Sequence, residues 1–125
     1  MMAYERQNWD VTRVTDVTNG ATPRVRRPDW VAHVLDEEAD PPRAVLLHLP
    51  SGRRIGLSET ATRVWQEILV AGAEGTHVGA ITAIVAPDYG VDPTIITHDV
   101  VALLDDMVAG DWVEIVPEHE GGGHG

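Results

Sequence analysis

The hydrophobic period of this chain changes once, at Leu57-Ser58, and that change constrains the fold more than any other feature. Before it, short apolar runs alternate with turn formers. Trp30-Val31-Ala32-His33-Val34-Leu35 leads into a loop containing Asp36, Glu37, Glu38, Asp40, Pro41 and Pro42, and Ala44-Val45-Leu46-Leu47-His48-Leu49 follows. Pro50-Ser51-Gly52 then turns the chain into Arg53-Arg54-Ile55-Gly56-Leu57. Such runs, bounded by Pro, Gly and Asp, predict three antiparallel strands joined by hairpin connections. In the third, alternation puts Arg53, Ile55 and Leu57 on one face and Arg54 and Gly56 on the other, as a sheet with one buried face requires.

After Leu57 the apolar residues recur at helical spacing. Ser58 suits an N-cap and Glu59 the dipole of a first turn, and Ala61, Val64, Trp65, Ile68 and Leu69 form a stripe that stops at Gly72. Thr76 is expected to cap a second helix, with apolar positions Val78, Ile81, Ile84 and Val85 and an end at Pro87. Asp92 caps and Pro93 opens a third, whose stripe is Ile96, Val100, Leu103, Leu104 and Met107 and whose end is Gly110. Trp112-Val113-Glu114-Ile115-Val116 reads as a short closing strand with Trp112, Glu114 and Val116 on one face. Strands gathered before helices argue an α+β fold rather than a parallel α/β one. The compact solution is winged helix-turn-helix-like, a three-stranded antiparallel sheet followed by three helices.

At 125 residues the chain holds one such domain and not two. It is expected at residues 29–116. Residues 1–28 form an N-terminal extension whose apolar points, Trp9, Val11, Val14 and Val17, fit neither period. Residues 117–125, with Gly121-Gly122-Gly123, form a tail expected to be disordered.

Charge narrows the function. The formal net charge is −11, yet residues 1–54 carry eight Arg against eight Asp or Glu, while residues 55–125 carry Arg63 alone against 12 acids. The whole excess therefore sits in the helical half. Nucleic-acid binding is disfavoured, because phosphate neutralisation supplies most of that affinity. The absence of Lys removes lysine-dependent phosphate loops and Schiff bases. The absence of Cys removes disulfides, thiolate metal sites and cysteine nucleophiles. The amino terminus has no secretory pattern and no window approaches ~18 apolar residues, so no membrane association is expected and the default location is the cytoplasm.

No catalytic or metal-binding set emerges, and no cofactor is called for. None of His33, His48, His77, His98, His119 and His124 stands in a metal-ligand spacing. His33 and His48 are read as polar residues on the solvated face of the sheet, His98 with Asp99 and Asp105 as a solvated helix face, and His119 and His124 as part of the tail. Ser51 lies in a turn and Ser58 at a cap, neither in a Gly-x-Ser-x-Gly elbow, so no triad is assembled. Asp105 and Asp106 are adjacent on a helix and point about 100° apart.

A binding module remains. A small open sheet leaves edge strands whose unpaired N–H and C=O groups an extended peptide can complete. The strand from Arg53 to Leu57 is the better edge: it is short, and Gly56 admits close approach of another backbone. Its two arginines also serve simply to keep an edge from aggregating, and the residues alone leave both roles open.

The ordered motifs resemble the PqqD-like peptide-recognition domains called RiPP recognition elements. The resemblance runs over residues 30–116. Its points are Leu46-Leu47-His48-Leu49-Pro50-Ser51-Gly52-Arg53-Arg54-Ile55-Gly56-Leu57-Ser58-Glu59-Thr60-Ala61 with Val64-Trp65, then Tyr89-Gly90-Val91-Asp92, Asp99-Val100, Leu103-Leu104, Met107 and Gly110-Asp111-Trp112-Val113. It implies non-catalytic binding of the leader segment of a ribosomally made precursor peptide. The leader would lie as an extra antiparallel strand along the third strand, against the third helix. Carried onto this chain, Arg53, Arg54, Ile55, Gly56 and Leu57 form one wall, and Ile96, Asp99, Val100, Leu103, Leu104 and Met107 the other. Alternatively the helical residues face the core, and for Leu103 the core is the preferred reading. A discrete protein of this size resembles the stand-alone leader-binding partners of lasso-peptide assembly, which present the precursor to a leader peptidase and a cyclase. A peptide between the two walls would meet Arg on one side and Asp99, Asp105 or Asp106 on the other, which predicts basic residues toward the third helix and salt-sensitive association. The alternative, a winged-helix DNA-binding regulator, needs a basic recognition helix, and neither the second nor the third predicted helix contains Arg or Lys.

Overall fold

Residues 23–117 are described by the computed structural model, so Trp9, Val11, Val14, Val17, His119, His124 and the glycine-rich tail lie outside the described residues. The turn-bounded runs form strands β2 (Val31–Asp36), β3 (Arg43–His48) and β4 (Arg53–Gly56), an antiparallel sheet in the order β2-β3-β4. Helices α1 (Glu59–Ala71), α2 (Val78–Asp88) and α3 (Pro93–Ala109) follow. The α+β class read from the change of period is the observed one.

The helix ends show which local signals decided them. The Ser58 side chain accepts from the Ala61 N–H, and Asp92 accepts from the Thr94 N–H with Pro93 in the first turn, as their residue types favour. Gly72 and Gly110 close α1 and α3. The cap of α2 differs from expectation. It is His77, whose Nδ1 accepts the Ala80 N–H at 3.3 Å. Thr76 is drawn away because its backbone exchanges two hydrogen bonds with Val25, at 2.7 and 2.9 Å. Pro87 lies inside the last turn of α2 rather than ending it, and Ile84 is exposed.

That bridge begins a second small sheet. Strand β1 (Val25–Arg26) pairs antiparallel with β5 (Glu114–Ile115), and Arg26 Nε reaches Glu114 Oε2 at 2.9 Å. The closing strand is thus two residues long, with Trp112 and Val113 both buried before it. Val25 and Pro28, from the stretch read as an extension, belong to the buried interior.

The core lies between one face of the sheet and the helices. Leu46, Trp65, Ile68, Ile81 and Leu104 are fully buried there, each such side chain contributing roughly 1.5–3 kcal/mol. Arg63, the cation of the acidic half, joins α1 to α2: it pairs with Glu67 one turn on, and its Nε donates to Asp88 at 2.7 Å. These two carboxylates hold the guanidinium pKa above its ordinary value, the Glu67 hydrogen bond being the larger cause.

Neither His33 nor His48 lies on the outer face of the sheet: His33 pairs with Leu46 and its ring meets Trp65 edge-on at 5.8 Å. Strand alternation puts His48 with Ala44 and Leu46 on the core side, where it is 7% exposed.

Candidate functional site

β4 is short because Pro50-Ser51-Gly52 starts it and the Ser58 cap ends it. The Leu57 N–H donates to the Ala44 carbonyl at 2.8 Å, and β4 pairs with β3 in the register Ile55 to Leu46 and Arg53 to His48. In an antiparallel ladder bonded and non-bonded pairs alternate. Arg53, Ile55 and Leu57 therefore bond β3, and Arg54 and Gly56 turn their N–H and C=O groups to the free side. A Cβ placed on Gly56 would meet nothing within 4 Å among the described residues, so the outer face of the sheet is open at this position.

Just past the end of β4, at Ser58, opens a groove of about 270 Å3, walled by the start of α1 and the first half of α3. Ala61 and Val64 supply its floor with Val100, Ile96 and Leu103 one side, and Tyr89 and Asp99 its rim. On α3 two adjacent stripes divide the work. Val100, Leu104 and Met107 point into the core, each 3% exposed or less. Ile96, Asp99 and Leu103, spaced i, i+3, i+7, face the groove. Of the helical residues expected at the site, Ile96, Asp99, Val100 and Leu103 thus line the groove, while Leu104 and Met107 pack beneath it. Among the strand residues, Ile55 and Leu57 turn toward the core, Arg54 and Gly56 sit on the edge, and Arg53 reaches the far end of α3.

That far end is held by a polar strut. His48 Nε2 lies 2.8 Å from Asp111 Oδ2 and His48 Nδ1 lies 2.7 Å from Ser51 Oγ. With a neutral ring the Nε2–H donates to the carboxylate, so Nδ1 accepts from the serine. The Ser51 oxygen accepts in turn from Arg53 N and Nε, each at 3.1 Å. Both its lone pairs are then engaged, which suits a fastener better than a nucleophile. Arg53 completes the joint by donating to the Gly110 carbonyl at 3.0 Å and stacking 5.0 Å from the centre of the Trp112 ring. Asp111 adopts φ +69°, the left-handed region where Asp is among the tolerated side chains. The hairpin tip and the end of α3 are in this way pinned together.

Sequence reasoning missed the contributions of Ser58, Thr60, Ala61, Val64 and Tyr89 to the groove and the Ser51-His48-Asp111 strut. A tyrosine between two helix boundaries was a usable signal for the rim. The strut joins residues 63 positions apart and had none. Among the described residues no cluster of His, Cys, Asp and Glu fit for a metal ion occurs, and no helix is long and apolar enough to cross a membrane.

The family model for coenzyme PQQ synthesis protein D (PqqD) matches residues 43–113, more than half of the chain. The chain belongs to the PqqD family. The match covers β3, β4 and all three helices, so the free edge and the groove both fall within the PqqD-matched part, whereas β1, β2 and β5 lie outside it. Among solved structures this PqqD-family fold is similar to that of TbiB1 in complex with the TbiA(beta) leader peptide, with a TM-score of 0.60 and 24% identity. The likeness covers 71% of this chain and 94% of TbiB1. No curated protein matches the chain significantly.

Proposed function

We propose that this PqqD-family chain captures the leader segment of a ribosomally made precursor peptide and presents it to maturation enzymes, without catalysing a step itself. The leader adds as an antiparallel strand to β4 and packs its groove-facing side chains against α3. The observation that carries this reading is the free edge at Arg54 and Gly56 beside an apolar groove. The similarity to TbiB1, solved with a leader peptide, supports it. Ile96, Val100 and Leu103 supply the apolar wall on α3, half-buried Ile55 is the apolar residue offered by β4 with Leu57 packed in the core beneath it, and Asp99 favours a basic leader residue.

Capture raises the leader's effective concentration at an enzyme that the same protein contacts. The enzymes proposed are a leader peptidase and a lasso-type cyclase, and the compartment proposed is the cytoplasm. Titration of the leader encoded beside this gene, read by calorimetry, tests the proposal. Saturable binding is expected, lost in Ile55→Asp. Undiminished binding by that variant, or none by the native protein, overturns the site.

A further inference from the structure

The sheet face turned away from the helices carries Ala32 and Val34 from β2, Val45 and Leu47 from β3, and Arg54 and Gly56 from β4. Register sets Ala32, Leu47 and Arg54 in one cross-strand row and Val34, Val45 and Gly56 in the next. Val34 is 63% exposed. The second row thus runs valine, valine, and then a glycine that leaves a gap at the edge. Arg54 has no partner among the described residues.

A strand bonded to β4 cannot direct all its side chains into the groove. Because Arg54 and Gly56 hold the free N–H and C=O groups, the leader residues opposite them make the backbone bonds. Directly opposed residues share a face, so those two leader side chains point onto the outer face, and only their neighbours enter the groove.

We infer that this outer face is a second surface on which the leader is read, with the pattern large apolar residue, any residue, Asp or Glu, in the amino-to-carboxyl direction. The inference rests on the leader-binding reading above and names the class of leader. An antiparallel strand passes Gly56 before Arg54, which sets the order. The residue opposite Gly56 lies across the glycine toward Val45, about 9.5 Å away at ordinary strand spacing, a distance that an aromatic or branched side chain and the valine close between them. Covering an edge glycine with a cross-strand aromatic is a known way to stabilise a sheet. The residue opposite Arg54 is acidic, because the guanidinium fork matches a carboxylate. The two faces of the bound strand therefore carry opposite preferences: acid against Arg54 outside, base against Asp99 inside.

Panning the full chain against a displayed library of random linear peptides tests this. Binders of the native protein are expected to share the apolar-x-acid pattern, and replacing either residue in a binder is expected to weaken it roughly two- to fivefold. Arg54→Glu is expected to switch the acidic position to Lys or Arg while leaving the apolar one unchanged. Gly56→Val, which fills open space, is expected to shift the apolar position to small residues. Binders that depend on Ile55 but show the same residues for the native protein and Arg54→Glu would overturn the inference and leave leader binding standing. Failure of the native protein to enrich any peptide above Ile55→Asp would overturn both.

Discussion

The sheet has two edges, and they are built differently. On β2 the Leu49 N–H donates to the Trp30 carbonyl at 2.9 Å, so Val31, His33 and Leu35 carry the outward backbone groups. Val31 is already closed off: its N–H bonds Pro28 O at 3.2 Å, and its carbonyl accepts from Arg27 Nη1 at 2.9 Å. The strand then runs into the acidic loop of Asp36, Glu37, Glu38 and Asp40. On β4 the outward groups of Arg54 and Gly56 have no backbone partner among the described residues, and the groove opens just past the strand's end. An open edge alone is a hazard. An open edge next to a groove is what the proposed leader binding would use, backbone pairing supplying affinity and side-chain pockets selection.

Matched proline substitutions break this comparison most severely. Gly56→Pro and Leu35→Pro each remove one outward N–H without touching the ladder to β3. Gly56→Pro is expected to weaken the leader by about a hundredfold or more, from the lost backbone bond and the ring's obstruction. Leu35→Pro is expected to leave affinity within about twofold. Equal losses in a fluorescence-anisotropy titration would remove the distinction between the edges.

The fastenings of the two edges come next. His48→Leu cuts the strut to Asp111 and Ser51, and is expected to lower stability by about 1 kcal/mol in urea and to weaken the leader with it. Arg27→Ala frees the Val31 carbonyl on the other edge, and the leader affinity is expected to stay unchanged. Smaller still is the effect of salt. Shortening the Debye length from about 30 Å to about 8 Å is expected to weaken leader association several-fold, and Asp99→Asn to flatten that dependence. A slope identical in both proteins would remove Asp99 from the site.

The smallest effect concerns β2 alone. Burial, and secondarily the charge of Arg27, hold the His33 pKa below its ordinary value. Between the ordinary histidine value and the lower folded one, the unfolded chain binds the proton and the folded chain does not, so stability falls as pH drops through that window. His33→Gln is expected to remove that part of the acid dependence in thermal melts, with leader affinity unaltered.

What was legible in the residues was what is decided locally. Ser58, Gly72, Asp92-Pro93 and Gly110 mark helix ends through contacts within a turn, and each was readable. The strand Arg53–Leu57 was readable as an edge from alternation and the hairpin, whereas the outward groups of Arg54 and Gly56 follow from the register with β3. Thr76 was misjudged because its backbone is claimed by Val25, 51 positions earlier. The β1-β5 pair is two residues on each side, too short to show a period. Alternation puts His48 with Leu46, but its residue type favours solvent, and Asp111, Ser51 and Trp112 explain why it is buried. On α3 the stripe was found as one set, and the groove separated it into two because the third dimension distinguishes Ile96 and Leu103 from Leu104 and Met107.

The pairing of β1 with β5 brings Arg24 and Val116 within one hydrogen bond, 2.8 Å between the Arg24 carbonyl and the Val116 nitrogen. The described residues therefore begin and end beside each other. An enzyme fused ahead of β1 or behind β5 would swing from the same anchor and sample the groove at a similar local concentration. A circular permutant joined there and opened in the acidic loop would carry β4 and α3 as a continuous stretch of chain.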